Sequence, residues 1–138
     1  MLQLPLRASP AVLLAALAMA TFPVSGAGPT YTVELDGAAC VPDPIDTPAR
    51  GRLELTVSPN GQSVDYRLTV QDIDNASEGD IHLGMVGANG PLVVKLFHAE
   101  APKKGRFSGV LAQGRFSAAD LVGPMRGAPL SDLLEMFA

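Results

Sequence analysis

The chain has 138 residues, 47% of them apolar, with a formal net charge of −4 and a single cysteine. A domain occupies about 100–200 residues, so a two-domain enzyme is excluded. The acidic balance argues against nucleic acid or an anionic membrane as partner, and one cysteine excludes an internal disulfide. The first 27 residues hold one charge, Arg7, ahead of the apolar run Ala11 to Ala20 and the small residues Ser25, Gly26 and Ala27. The run is too short to span a bilayer and has the layout of a secretory signal peptide. Cleavage is expected after Ala27, which assigns residues 1–27 to a leader and 28–138 to one domain, secreted or periplasmic. Cys40 lies too far beyond the apolar run to be a lipidation site.

Beyond the leader, proline and glycine fall between short alternating segments, the pattern of an all-β chain. Tyr31, Val33 and Leu35 mark a first strand, and Cys40 to Thr47 (CVPDPIDT) a proline-stiffened connection. In RLELTVSPNGQSVDYRLTV, Leu53, Leu55 and Val57 alternate with polar residues, as do Val64, Tyr66, Leu68 and Val70 after the Pro59-Asn60-Gly61 turn. This predicts a hairpin. Pairing Val57 with Val64 sets Leu55 against Tyr66 and Leu53 against Leu68, and places Glu54 opposite Arg67 on the outer face. Asp72, Asp74, Glu78 and Asp80 then form an acidic stretch, read as a solvated turn, and strand signals resume at Ile81. Pro91 to Phe97 is a nearly continuous apolar strand, and Phe107 to Leu111 another after the basic loop Lys103-Lys104-Gly105-Arg106. About six strands are predicted. The period then changes: Ser117 and Asp120 have capping-box spacing, and Leu130, Leu133, Leu134 and Phe137 share one face of a short helix. Two small helices are expected at this end.

Three segments, Pro42 to Leu55 (PDPIDTPARGRLEL), Asp80 to Phe97 (DIHLGMVGANGPLVVKLF) and Gly109 to Leu134 (GVLAQGRFSAADLVGPMRGAPLSDLL), resemble in order and spacing the motifs of the CHRD domain, named from chordin and common in secreted bacterial proteins. The resemblance covers about residues 30 to 137. It implies an immunoglobulin-like or Greek-key β-sandwich outside the cell, with no established catalytic activity. The sequence departs from the family pattern at three places. Asp80-Ile81-His82 stands where a His-x-His pair is usual, Cys40 stands where a glutamate usually precedes Val-Pro, and the family's closing strands would have to follow Ala138. The last departure predicts an open sheet edge and low stability, or an inactive relic.

The candidate chemistry is sparse. Asp80 and His82 lie two apart and would share a strand face, with His98 or Cys40 available to extend a metal set. A zinc or copper site needs three or four such ligands, and a superoxide-dismutase-like redox or hydrolytic centre needs more histidines than the two present. No metal, no cofactor and no catalytic residue is assigned. The acidic stretch from Asp72 fails the EF-hand pattern, with Ser77 where glycine is required. No Gly-x-Ser-x-Gly occurs. Lys103, Lys104 and Arg106 read as a soluble loop tip. The expected function is a non-catalytic extracellular module that binds a protein or glycan or serves a structural part in a surface or periplasmic assembly. Self-association could occur through an open sheet edge or through Cys40, a free or intermolecular thiol in an accessible loop.

Overall fold

The computed structural model describes residues 27–40, 43–85 and 88–137, and the side chains of Pro102 and Lys103 are not among the described features. The segment expected to be a leader, residues 1–27, therefore lies outside the described residues, apart from Ala27. Four antiparallel strands form one sheet in the order β1-β2-β3-β4: β1 Thr30–Asp36, β2 Arg50–Val57, β3 Ser63–His82 and β4 Leu92–Ser117. The fold is all-β with short helical turns at its C-terminal end, as the alternation predicts.

The β2–β3 hairpin has the predicted register, with Val57 opposite Val64, Leu55 opposite Tyr66, Leu53 opposite Leu68 and Glu54 opposite Arg67. Its turn is held by local polar groups. The Gly61 N–H donates to the Ser58 carbonyl at 2.9 Å, and the Ser58 hydroxyl donates to Asn60 Oδ1 at 2.7 Å. Gly61 has φ +70°, a conformation glycine adopts without steric cost. β1 continues the sheet by the same alternation, with Val33 opposite Leu53 and Tyr31 opposite Leu55.

The six predicted strands are four because two of them run on through segments expected to be loops. The acidic stretch from Asp72 to Asp80 is part of β3, and Lys103 to Arg106 is part of β4, with Asp74 opposite Arg106. The physical reason is a series of β-bulges, which keep the chain extended while bending it. The register of β3 on β4 shifts between Val70 and Ile73 and again between Asp74 and Ala76. Asp72 (φ 51°) and Asn75 (φ 52°) adopt left-handed backbone at these shifts, where aspartate and asparagine are tolerated better than most residues. Side chains take up the freed donors: the Asp72 N–H donates to Ser108 Oγ at 3.0 Å and the Gly105 N–H to Asn75 Oδ1 at 3.3 Å.

The bulged segment is the corner of a long β3–β4 hairpin that folds back over itself. Leu68 and Gly79 are eleven residues apart, about 36 Å in a straight strand at ~3.3 Å per residue. A Cβ placed on Gly79 would nevertheless lie 2.9 Å from Leu68 Cδ2. The second layer is thus the far half of the same hairpin. Among the described strands every hydrogen-bonded neighbour is consecutive in the chain, so the layers of this all-β fold come from a folded meander.

A further bulge ties the layers together. Gly79 faces Phe97 and Asp80 faces Lys95, so Leu96 is the extra residue of β4. The Tyr66 hydroxyl donates to the Leu96 carbonyl at 2.8 Å. Val93 and Val94 are both fully buried although adjacent in the strand, which accounts for the nearly continuous apolar run of Pro91 to Phe97.

The C-terminal segment closes the core. Ser117 and Asp120 do interact, the Ser117 N–H donating to Asp120 Oδ2 at 2.8 Å, but they open a single 3-10 turn (Ala118–Asp120) rather than a helix. After it the Val122 N–H donates to the Val93 carbonyl at 2.9 Å. A further 3-10 turn, Gly123–Met125, leads to the helix α1 (Leu130–Glu135), whose Leu130 and Leu133 are buried. Leu134 and Phe137 pack at its margin, and the Phe137 ring lies 5.7 Å from that of Tyr31.

Candidate functional site

The alternation that fills the core also places charge on the outer face. Positions between the apolar ones in β1, β2 and β3 line up across the sheet: Thr32 with Glu54 and Arg67, then Glu34 with Arg52 and Thr69, then Asp36 with Arg50 and Gln71. The result is a shallow depression of about 390 Å³ lined by Glu34, Arg50, Gly51, Arg52, Glu54, Arg67, Thr69 and Gln71. Arg52 Nε donates to Glu34 Oε1 at 2.7 Å, with both side chains more than half exposed. The Arg50 guanidinium donates to the carbonyls of Thr47 and Ala49 at 3.2 and 3.0 Å. Among the described residues neither Arg50 nor Arg67 has a carboxylate within ion-pair distance. The depression therefore combines one neutralised guanidinium with two whose charge is not matched at close range.

Beside it, Arg115 makes a two-pronged contact with Asp65, Nε to Oδ1 at 2.6 Å and Nη2 to Oδ2 at 3.1 Å. The hydrogen bond from Arg115 holds the Asp65 carboxyl below its ordinary value of 3.8, and the same bond raises the Arg115 pKa. Exposed pairs of this kind add little to stability, because solvent screens them. Their consequence is strand register, since a one-residue slip would turn every one of them into the core.

The residues singled out in the sequence are not brought together. Asp80 faces Lys95 across the ladder, and His82 is exposed, its Nδ1 2.9 Å from the Gly90 carbonyl oxygen. His98 sits opposite Glu78, with Nδ1 3.6 Å from Oε1. Cys40 follows the 3-10 turn after β1, its thiol 3.7 Å from the Asp36 carbonyl oxygen. It is half-buried, at the C-terminal end of the turn Gly37–Ala39. Among the described residues no group of three or more His, Cys, Asp or Glu side chains converges on one point. Asp72 is set in the bulge backbone and Asp74 lies 3.8 Å from Arg106, so the acidic stretch is drawn into the β3–β4 ladder.

Sequence reasoning found one row of the outer face, Glu54 with Arg67, and missed the depression as a unit. The signal was available: extending the hairpin register by one strand places Glu34 on Arg52, but this needs the pairing of β1 with β2, which no tight turn announces.

Residues 31–132 match a family model described as the CHRD domain. No curated protein and no solved structure matches the chain.

Proposed function

Because the chain belongs to the CHRD domain family, we propose that it acts as a non-catalytic extracellular module, exported by the leader that precedes Gly28, with the outer face of β1, β2 and β3 as its binding surface. The observation that supports this reading is the depression around Arg52, where, among the described residues, Arg50 and Arg67 have no carboxylate within ion-pair distance although Asp36 and Glu54 lie opposite them across the sheet. Guanidinium forks take carboxylate or sulfate groups in pairs of charge-assisted bonds. Thr69, Gln71 and Glu54 supply hydroxyl, amide and carboxylate groups beside them, suited to the hydroxyls of a sugar. A glycan carrying carboxylate or sulfate groups among its hydroxyls fits this local mixture of guanidinium and neutral hydrogen-bonding groups.

The test is a heteronuclear NMR titration of the protein with a uronate-containing oligosaccharide, a sulfated one and a neutral one. Shifts confined to β1, β2 and β3 are expected with the acidic ligands, weakened about tenfold by Arg67→Ala, one lost charge-assisted bond. Equal response to the neutral oligosaccharide, or no effect of Arg67→Ala, would remove the outer face as the binding surface. Export is checked separately, by intact mass of the protein recovered outside the cytoplasm, with a start at Gly28 expected.

A further inference from the structure

We propose that the free edge of β1 pairs with β1 of a second copy, antiparallel about a two-fold axis at Val33. This inference does not depend on the outer-face reading. Each of the two outer strands of the sheet, β1 and β4, is bonded on one side only among the described strands, and the two edges differ in kind. β4 is blunted as natural edges are, with Lys95, Lys104 and Gly105 along it and repeated register shifts against β3. Between Thr30 and Asp36, β1 has no proline, glycine, lysine or arginine, and its register on β2 is unbroken. An unprotected edge of this type is a template for strand addition.

The direction of the peptide groups follows from one bond. The Val57 N–H donates to the Pro29 carbonyl at 3.0 Å, so residues 29 and 57 form a hydrogen-bonded pair. Alternation then points the peptide groups of Tyr31, Val33 and Leu35 at β2 and those of Thr30, Thr32 and Glu34 away from it. All three of the latter residues are exposed. At its end the added ladder would meet Asp36, whose carbonyl is already approached by the Cys40 thiol.

Charge and apolar pattern select the register. With Val33 on the axis, Thr32 lies opposite Glu34 of the partner subunit and Thr30 opposite Asp36 of the partner subunit, so no carboxylate faces another. Centring the pair on Glu34 instead would set like charges directly opposite, which is unfavourable. The Val33 register also places Leu35, an apolar side chain left 42% exposed at this edge, against Tyr31 of the partner subunit. A register centred on Thr32 leaves Leu35 beyond the paired segment.

Sedimentation equilibrium, run under reducing conditions on the protein as recovered from expressing cells, tests the proposal. A reversible dimer is expected. Thr32→Pro removes only an outward N–H, a substitution an edge strand tolerates, and should give a monomer with unchanged circular dichroism. Thr32→Glu sets a second carboxylate against Glu34 of the partner subunit at two symmetric places and should weaken the dimer roughly three- to tenfold. Thr32→Lys should tighten it by a similar factor. A monomer at concentrations up to roughly 1 mM, a dimer untouched by Thr32→Pro, charge variants that move affinity in the same direction, or a dimer that forms only without reductant and is lost in Cys40→Ser would each overturn it.

Discussion

Replacing Tyr66 by phenylalanine tests the folded-back hairpin at the bond that joins its two halves. The Leu96 bulge takes that carbonyl out of register with β3, and the Tyr66 hydroxyl donates to it at 2.8 Å across the layers. Leu96 itself is 7% exposed, so water is poorly placed to replace the hydroxyl. Removing it costs the net value of the bond, about 0.5–1.5 kcal/mol, with up to ~1–3 kcal/mol if the carbonyl stays unsatisfied. The ring remains, half-buried, with its centroid 6.2 Å from that of Phe116, so no cavity term is added. A loss of about 1–2 kcal/mol is expected, read as a fall in Tm of roughly 4–12 °C for a domain near 100 residues. Urea denaturation with fluorescence and circular dichroism in parallel measures it, coincident curves establishing the two-state condition. Gly114→Ala serves as a companion, since its Cβ would lie 3.0 Å from the Tyr66 hydroxyl oxygen and 3.2 Å from the ring. It should displace the ring and be non-additive with Tyr66→Phe, as neighbours in contact are. If Tyr66→Phe leaves stability within about 0.3 kcal/mol of wild type, a change typical of an exposed site, then residue 66 does not meet residue 96 and the back-folding is wrong.

Leu133→Ala empties a side chain that is 1% exposed and should cost about 2–5 kcal/mol; a loss near zero in urea melts would mean that α1 is not part of the core. The Asp65–Arg115 pair makes a prediction in acid. Because the folded pKa of Asp65 lies below its ordinary value of 3.8, its contribution to stability is fully present above that value and is lost as pH falls through the lower folded value. Urea midpoints measured at several values between roughly pH 2 and 5 should decline less steeply in Arg115→Gln than in wild type, and equal slopes would show that the contact does not persist in solution.

How much of this was legible in the sequence depends on the range of the interaction that decides each element. The β2–β3 hairpin was readable to the residue because Asn60-Gly61 sets a short turn and the apolar alternation on both sides admits one register. α1 was readable from Leu130, Leu133 and Leu134 at helical spacing. The β3–β4 hairpin was not, because its continuity rests on partners about thirty residues apart, such as Asp72 with Ser108 and Asn75 with Gly105. Locally, a run such as Gln-Asp-Ile-Asp-Asn looks like a turn, since aspartate and asparagine favour left-handed backbone. That preference is real and is used here, at Asp72 and Asn75, but it bends a strand and does not end one.

The candidate site was half legible for a related reason. Asp80 and His82 stood out as chemical types, yet chemistry needs convergence, and their neighbours across the ladder are Lys95 and Leu92. The outer face was inconspicuous by type, since scattered arginines and glutamates occur on any surface, and becomes a unit only when three strands are laid side by side. Glu34, Arg52 and Thr69 come from three separate segments of sequence and form one row. A row of that kind is specified by the core beneath it, because Val33, Leu53 and Leu68 must meet on the inner face for the outer residues to meet above. The same constraint separates the two uses of β1 proposed for this fold. Its outward side chains contribute to the polar depression, its inward side chains to the core, and its free peptide groups, which belong to neither face, are left for a second strand.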